Sequence, residues 1–231
     1  MRMRVVLLAT LLGAALQCAA ASPPKRVELR FEIVTGSIKL GEGREVLEHD
    51  GTRYSVTSLS EPAGIAALFI DDVTRASRGR VTENGLRPES FSETGRKGGR
   101  REAKFDWSAM QLTLTRGKEK SVEELPPGTL DQASFPFSFA FEPPKAERFY
   151  THVTDGKRLK EYEYRLVGRE TLKTPMGKIE TLHYEKVRDK DDKRGFDVWL
   201  SVEHHYLPVR LRYTEKDGRP FDSNIVDIRM Q

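Results

Sequence analysis

The chain has 231 residues and a single cysteine, Cys18, which sits inside an N-terminal apolar stretch. Loss of that stretch would take thiol catalysis, disulfides and cysteine-ligated metals with it. Stability then rests on burial, which about 210 residues can supply as one domain. Charge of one sign is also scarce. Removing Arg2 and Arg4 with the leader takes the formal net charge from +4 to +2, so no strong field draws the chain to nucleic acid. Three catalytic signatures are missing as well: a Gly-x-Ser-x-Gly elbow, a phosphate-cradling glycine loop and a His-Glu-x-x-His pair. No catalytic residue, cofactor or metal is therefore expected, and a cell-envelope hydrolase is only a remote alternative.

The longest apolar run is VVLLATLLGAALQ, residues 5–17, preceded by MRMR and followed by CAAAS. A basic start, a short apolar stretch and an Ala-x-Ala site describe a secretory signal peptide, with cleavage after Ala21. The run is too short to span a bilayer comfortably, so the mature chain is expected to have no transmembrane span. Residues 1–21 are thus read as the signal peptide and 22–231 as one β-rich domain in the periplasm. Lipid attachment at Cys18 is disfavoured, because Ala15, Leu16 and Gln17 make a poor lipobox.

Turn dipeptides recur through the rest of the chain: Asp50-Gly51, Asn84-Gly85, Asp155-Gly156 and Asp217-Gly218. Between them apolar residues alternate with polar ones. Val27, Leu29, Phe31 and Ile33 share one face, and Tyr162, Tyr164 and Leu166 another. Period two with one wet face marks antiparallel strands joined by hairpins. About a dozen such strands predict a mainly β fold, a curled antiparallel sheet forming a barrel or half-barrel. One or two short helices are expected, in residues 61–72 and at the start of 128–135. An internal break is expected at 124–132, ELPPGTLDQ.

SFPFSFAFEPP, residues 134–144, sets Phe135, Phe137, Phe139 and Phe141 at every second position. As a strand it places all four rings on one face, with Pro136 marking an edge or an end. Those rings are core, or they line or cover an apolar pocket, or they form an edge that docks a partner. His204-His205, with His152 and His183 as helpers, is a weak metal candidate, because adjacent strand residues point to opposite faces. Asp71-Asp72 and the mixed-charge run 188–194 read as ordinary solvated segments. Arg96, Lys97, Arg100 and Arg101 gather at one hairpin tip, which either touches anionic groups or simply keeps the edge wet.

The ordered series FEIVTGSIKLGEG, YSVTSLSE, SRGRVTENGLRPESFSE, FDW, PPGTLDQASF, TPMGKIETLHYEK and VWLSVEHHYLPVRLRY resembles the exported bacterial family of domain of unknown function 3108. The resemblance implies an exported β-rich domain with no established activity, similar to the half-barrels of lipoprotein carriers of the LolA/LolB type. It also implies a short helix at LDQASFPFSFAF. Here Pro136 and the period-two rings depart from the family, so the helix is expected to stop before Pro136.

The resulting expectation is a non-enzymatic envelope protein that binds an apolar or amphipathic molecule, such as a lipid, in a β-sheet cavity. Phe135, Phe137, Phe139, Phe141, Trp107, Tyr164 and Trp199 are the candidate wall or mouth residues. Trp199 alternates away from Val198 and Leu200, which turns it toward solvent or a partner. The alternative is an assembly or scaffold protein with a filled core that docks an envelope partner.

Overall fold

Every strand of the computed structural model joins one hydrogen-bonded sheet. It describes residues 23–69, 71–95, 99–188 and 192–231. Residues 1–22, which hold Cys18 and the expected signal peptide, residue 70, residues 96–98 with Arg96 and Lys97 of the basic tip, and residues 189–191 lie outside the described residues.

The first eight strands form a meander: β1 (Arg26–Thr35), β2 (Ile38–His49), β3 (Arg53–Pro62), β4 (Val73–Thr82), β5 (Gly85–Gly95), β6 (Gly99–Asp106), β7 (Gln111–Arg116) and β8 (Glu119–Glu124). The short β9 (Leu130–Asp131) opens the second arm, followed by β10 (Arg148–Thr154), β11 (Leu159–Thr174), β12 (Gly177–Lys186), β13 (Gly195–Ser201), β14 (Pro208–Thr214) and β15 (Pro220–Met230). The two arms meet where β1 pairs antiparallel with β15. All pairings are antiparallel except β9 with β10. The strand order runs from β8 at one edge to β9 at the other, so the sheet is not closed.

Local chemistry explains the hairpins. At Asp50-Gly51 the Asp50 carboxylate accepts hydrogen bonds from the Thr52 and Arg53 amides, both at 2.7 Å, and holds the tight turn that period-two strands need. The expected break at 124–132 is where the chain leaves β8 and crosses to β9 at the opposite edge.

The sheet curls until its arms touch. Ser77 of β4 donates to Asp131 of β9 at 2.5 Å. The β10–β11 turn meets the other arm at Gly156. A Cβ there would lie 3.1 Å from Arg101 Cβ and 3.2 Å from the Phe91 ring, and the backbone has a φ of +76°. Glycine is needed on both counts.

A 3-10 helix, Gly64–Leu68, links β3 to β4 inside the segment expected to be helical. The other helix departs from expectation. The segment 128–134 makes a turn and β9, and α1 runs through the phenylalanines themselves, Phe135–Phe141. Pro136 does not end it, because it occupies the first turn, where an amide has no intrahelical partner to lose. The Ser134 carbonyl accepts from the Phe137 and Ser138 amides at 3.1 and 3.0 Å and closes that turn.

Candidate ligand-binding site

In a helix, residues two apart lie about 200° apart around the axis. The same spacing that puts four rings on one face of a strand therefore divides them between two sides of α1. Phe135 and Phe139 share one side and touch edge to face, with centroids 5.4 Å apart. They pack on the C-terminal arm: Phe135 lies 5.0 Å from Tyr164 of β11 and 6.1 Å from Phe196 of β13. Phe139 lies 5.8 Å from Phe149 of β10 and 6.5 Å from Tyr184 of β12. Phe137 and Phe141 take the other side. Phe137 is fully buried, and Phe141 lies edge-on to His49 of β2 at 5.0 Å. A short helix that is apolar all round is a buried helix. It fills the concavity between the arms.

A polar latch fixes the start of this cover. Asp131 accepts from the Ala133 and Ser134 amides at 2.9 and 2.8 Å, and from Ser77. Ser77 also bonds the Tyr54 hydroxyl of β3 at 2.9 Å. Burial pushes the Asp131 carboxyl up to about 6, in spite of the hydrogen bonds that favour its charged form.

The remaining candidates do not join the phenylalanines. Trp107 sits after β6, where its indole donates to the Pro88 carbonyl at 2.6 Å and the Arg87 guanidinium lies 5.5 Å from its ring. Trp199 lies on the opposite face of the sheet, as its alternation implies, yet it does not face solvent. It is only 2% exposed. The His183 imidazole stacks on one side at 3.9 Å and Arg210 lies over the indole at 4.7 Å. Its Nε1 donates to Glu170 at 2.9 Å.

Sequence reasoning missed this outer cluster. Register brings Glu170 (β11), His183 (β12), Asp197 and Trp199 (β13), Arg210 and Arg212 (β14) and Asp222 (β15) onto adjacent strands. His183 touches Glu170 through Nδ1 at 2.7 Å and Asp197 through Nε2 at 3.0 Å. A neutral imidazole has one N–H, so two carboxylate partners suit the imidazolium. Burial pulls the His183 pKa down, but the bonds to Asp197 and Glu170 outweigh it and leave it raised. Arg210 and Arg212 both bond Asp222, at 3.0 and 2.8 Å. The usable signal was Glu170, His183, Asp197 and Arg210 all falling on the wet face of strands that pair.

His204 and His205 lie in the turn after β13 rather than on a strand, and His204 Nδ1 bonds the Ser201 hydroxyl at 2.8 Å. Among the described residues no group of three His, Cys, Asp or Glu is placed to hold a metal ion.

The model of the family "Protein of unknown function (DUF3108)" matches residues 30–223. The chain belongs to this family. No curated protein matches this DUF3108 chain. Its fold is similar to that of a β-barrel-like protein of the DUF1849 family from Brucella abortus, with a TM-score of 0.59 at 7% identity over 91% of this chain and all of that one. A protein described as a lipoprotein, from Parabacteroides distasonis, aligns at 10% identity over 90% of this chain and 96% of that one, with a TM-score of 0.35. A domain described as an outer membrane lipoprotein-sorting protein, from Vibrio parahaemolyticus, aligns at 10% identity over 89% and 85%, with a TM-score of 0.25. Likenesses as loose as the last two do not bear on fold or function. No helix among the described residues of this DUF3108 chain is long and apolar enough to cross a membrane.

Proposed function

We propose that this DUF3108 member is a non-enzymatic protein of the periplasm that holds an apolar or amphipathic molecule, such as a lipid, against the concave face of its sheet. The observation that carries this reading is the cover. The apolar interior of an unclosed sheet is filled by one seven-residue helix, held mainly by aromatic contacts. An acyl chain offers the same hydrophobic driving force as Phe135 and Phe139, so it can replace their contacts when α1 shifts. Phe135, Phe137, Phe139, Phe141 and Tyr164 are then the residues that meet the ligand, and Trp107 and Trp199 are not.

Native mass spectrometry of protein purified from a bacterial periplasm without detergent tests this. The expected result is a reproducible extra mass that is released on denaturation and extracts into organic solvent. A clean apo mass, together with no uptake of added fatty acids or phospholipids at tens of micromolar, would sink the reading.

A second reading, docking of an envelope protein by a filled-core scaffold, is favoured by Ile65, Leu68 and Phe69. They are 77, 74 and 73% exposed around the 3-10 helix between β3 and β4, and apolar groups this exposed mark contact surfaces when they cluster. Its sign is capture of one defined partner that is lost in Leu68→Ser/Phe69→Ser, with no small molecule carried along.

A further inference from the structure

The concave face carries a polar row that the packing of α1 does not use. Register aligns Glu45 (β2), Ser58 (β3), Arg75 (β4), Glu93 (β5), Arg101 (β6) and Arg116 (β7). Each stands two residues from a core position on its own strand, such as Leu47, Val56, Phe91 or Leu114, and therefore faces the same side of the sheet. Glu93 answers two of the guanidinium groups, with Arg75 at 2.7 Å and Arg101 at 3.2 Å. Arg116 bonds Glu119 of β8 at 2.9 Å. At that end the row runs into a recess of about 240 Å³ between the β7–β8 hairpin and the β10–β11 turn, where Arg116, Lys120 and Lys157 outnumber Glu119.

Glu45, at the other end, has an unmet need. Its Oε1 accepts from the Ser58 hydroxyl at 3.3 Å, while Oε2 is closed to solvent and has no partner. Burial pushes this carboxyl up to about 7 against the pull of Arg75. Near neutral pH a large share of it is protonated, and a proton on Oε2 wants an acceptor. With Glu45 neutral, three guanidinium groups face two carboxylates and the row is net positive. Carboxylate and phosphate oxygens are the acceptors that suit both an acid O–H and a guanidinium fork.

We propose that this row is a headgroup subsite for an anionic, oxygen-bearing group, a carboxylate or phosphate, with Arg75 supplying the charge and Glu45 donating from Oε2 once the packing that closes over that oxygen opens for the ligand. The proposal rests on the ligand reading above, because the apolar part of the molecule would lie on the adjoining core positions and α1.

Calorimetric titration of the whole protein with dodecanoate, 1-dodecanol and inorganic phosphate tests it. Dodecanoate is expected to bind roughly tenfold to a hundredfold more tightly than dodecanol, the worth of a hydrogen bond to a charged group. Glu45→Leu and Arg75→Met should each narrow that preference, by weakening dodecanoate far more than dodecanol. Glu45→Gln, which keeps an N–H donor, should retain most of it. The wild-type comparison of the three probes decides the matter even if a variant does not fold. Equal binding of dodecanoate and dodecanol overturns the subsite and leaves the ligand reading standing. Phosphate that binds while neither dodecanoate nor dodecanol does keeps the anion subsite and overturns a lipid as its source. Binding of none of the three overturns both.

Discussion

The C-terminal arm buries aromatic rings on both faces, by different means. On the concave side Tyr164, Tyr184 and Phe196 pack against α1 by hydrocarbon contact alone. On the convex side Trp199 is enclosed by His183, Glu170 and Arg210, and Asp222 holds the arginines in place. Water is excluded from one by apolar area and from the other by a satisfied ring of charges. A polar face of an alternating strand is therefore not the same thing as a wet face. On the reading proposed above, the apolar side exchanges its contacts for those of a ligand, whereas the charged side is specific to its partners.

The largest expected effect breaks the concave side. Phe137→Ala removes a fully buried ring and should cost about 3–5 kcal/mol, read as a fall in the urea midpoint at unchanged slope. A loss under about 1 kcal/mol would mean that α1 is loosely seated. On the convex side Asp222→Asn takes the charge from a carboxylate shared by Arg210 and Arg212 and should cost about 1–3 kcal/mol. Trp199→Phe keeps most of the packing and loses the indole bond to Glu170, an expected loss of about 1 kcal/mol.

Acid–base measurements sharpen the contrast further. The His183 pKa is raised in the folded state, so its stabilisation is complete below the unfolded imidazole value and is lost as pH rises through the folded one. His183→Gln should remove that contribution and leave those of the raised Glu45 and Asp131 carboxyls, checked by thermal melts across pH 5 to 9. The Asp131 carboxyl, raised to about 6, acts in the same direction over a lower window: stability grows as pH falls through 6 toward the ordinary carboxylate value. Asp131→Asn keeps an acceptor for the Ala133 and Ser134 amides, and Ser77 can turn to accept. It should change stability at pH 7 by about 1 kcal/mol or less while removing that lower window. Loss of the convex network's pH response in Asp131→Asn would show that the two sides are coupled through the sheet.

Alternation and turn chemistry made most of the sheet legible. Val27, Leu29 and Phe31 face the core as their spacing implies, and the hairpins turn at Asp50-Gly51, Asn84-Gly85 and Asp155-Gly156. These are local properties: a pleat alternates side chains, and a glycine permits a tight turn, whatever lies across the molecule. The phenylalanine segment was not legible in this way. Residues spaced by two make one face of a strand or two faces of a helix, and only an interior with an arm on each side decides that the helix buries more. The cluster around Trp199 is of the same kind. Glu170, His183, Asp197, Arg210 and Asp222 look like separate surface charges along the chain, and only strand register brings them within hydrogen-bonding distance. Sequence alone thus determined the sheet, its hairpins and which side of most strands is apolar. Tertiary structure decided what covers the concave face and what closes over the convex one, because both depend on which strands become neighbours.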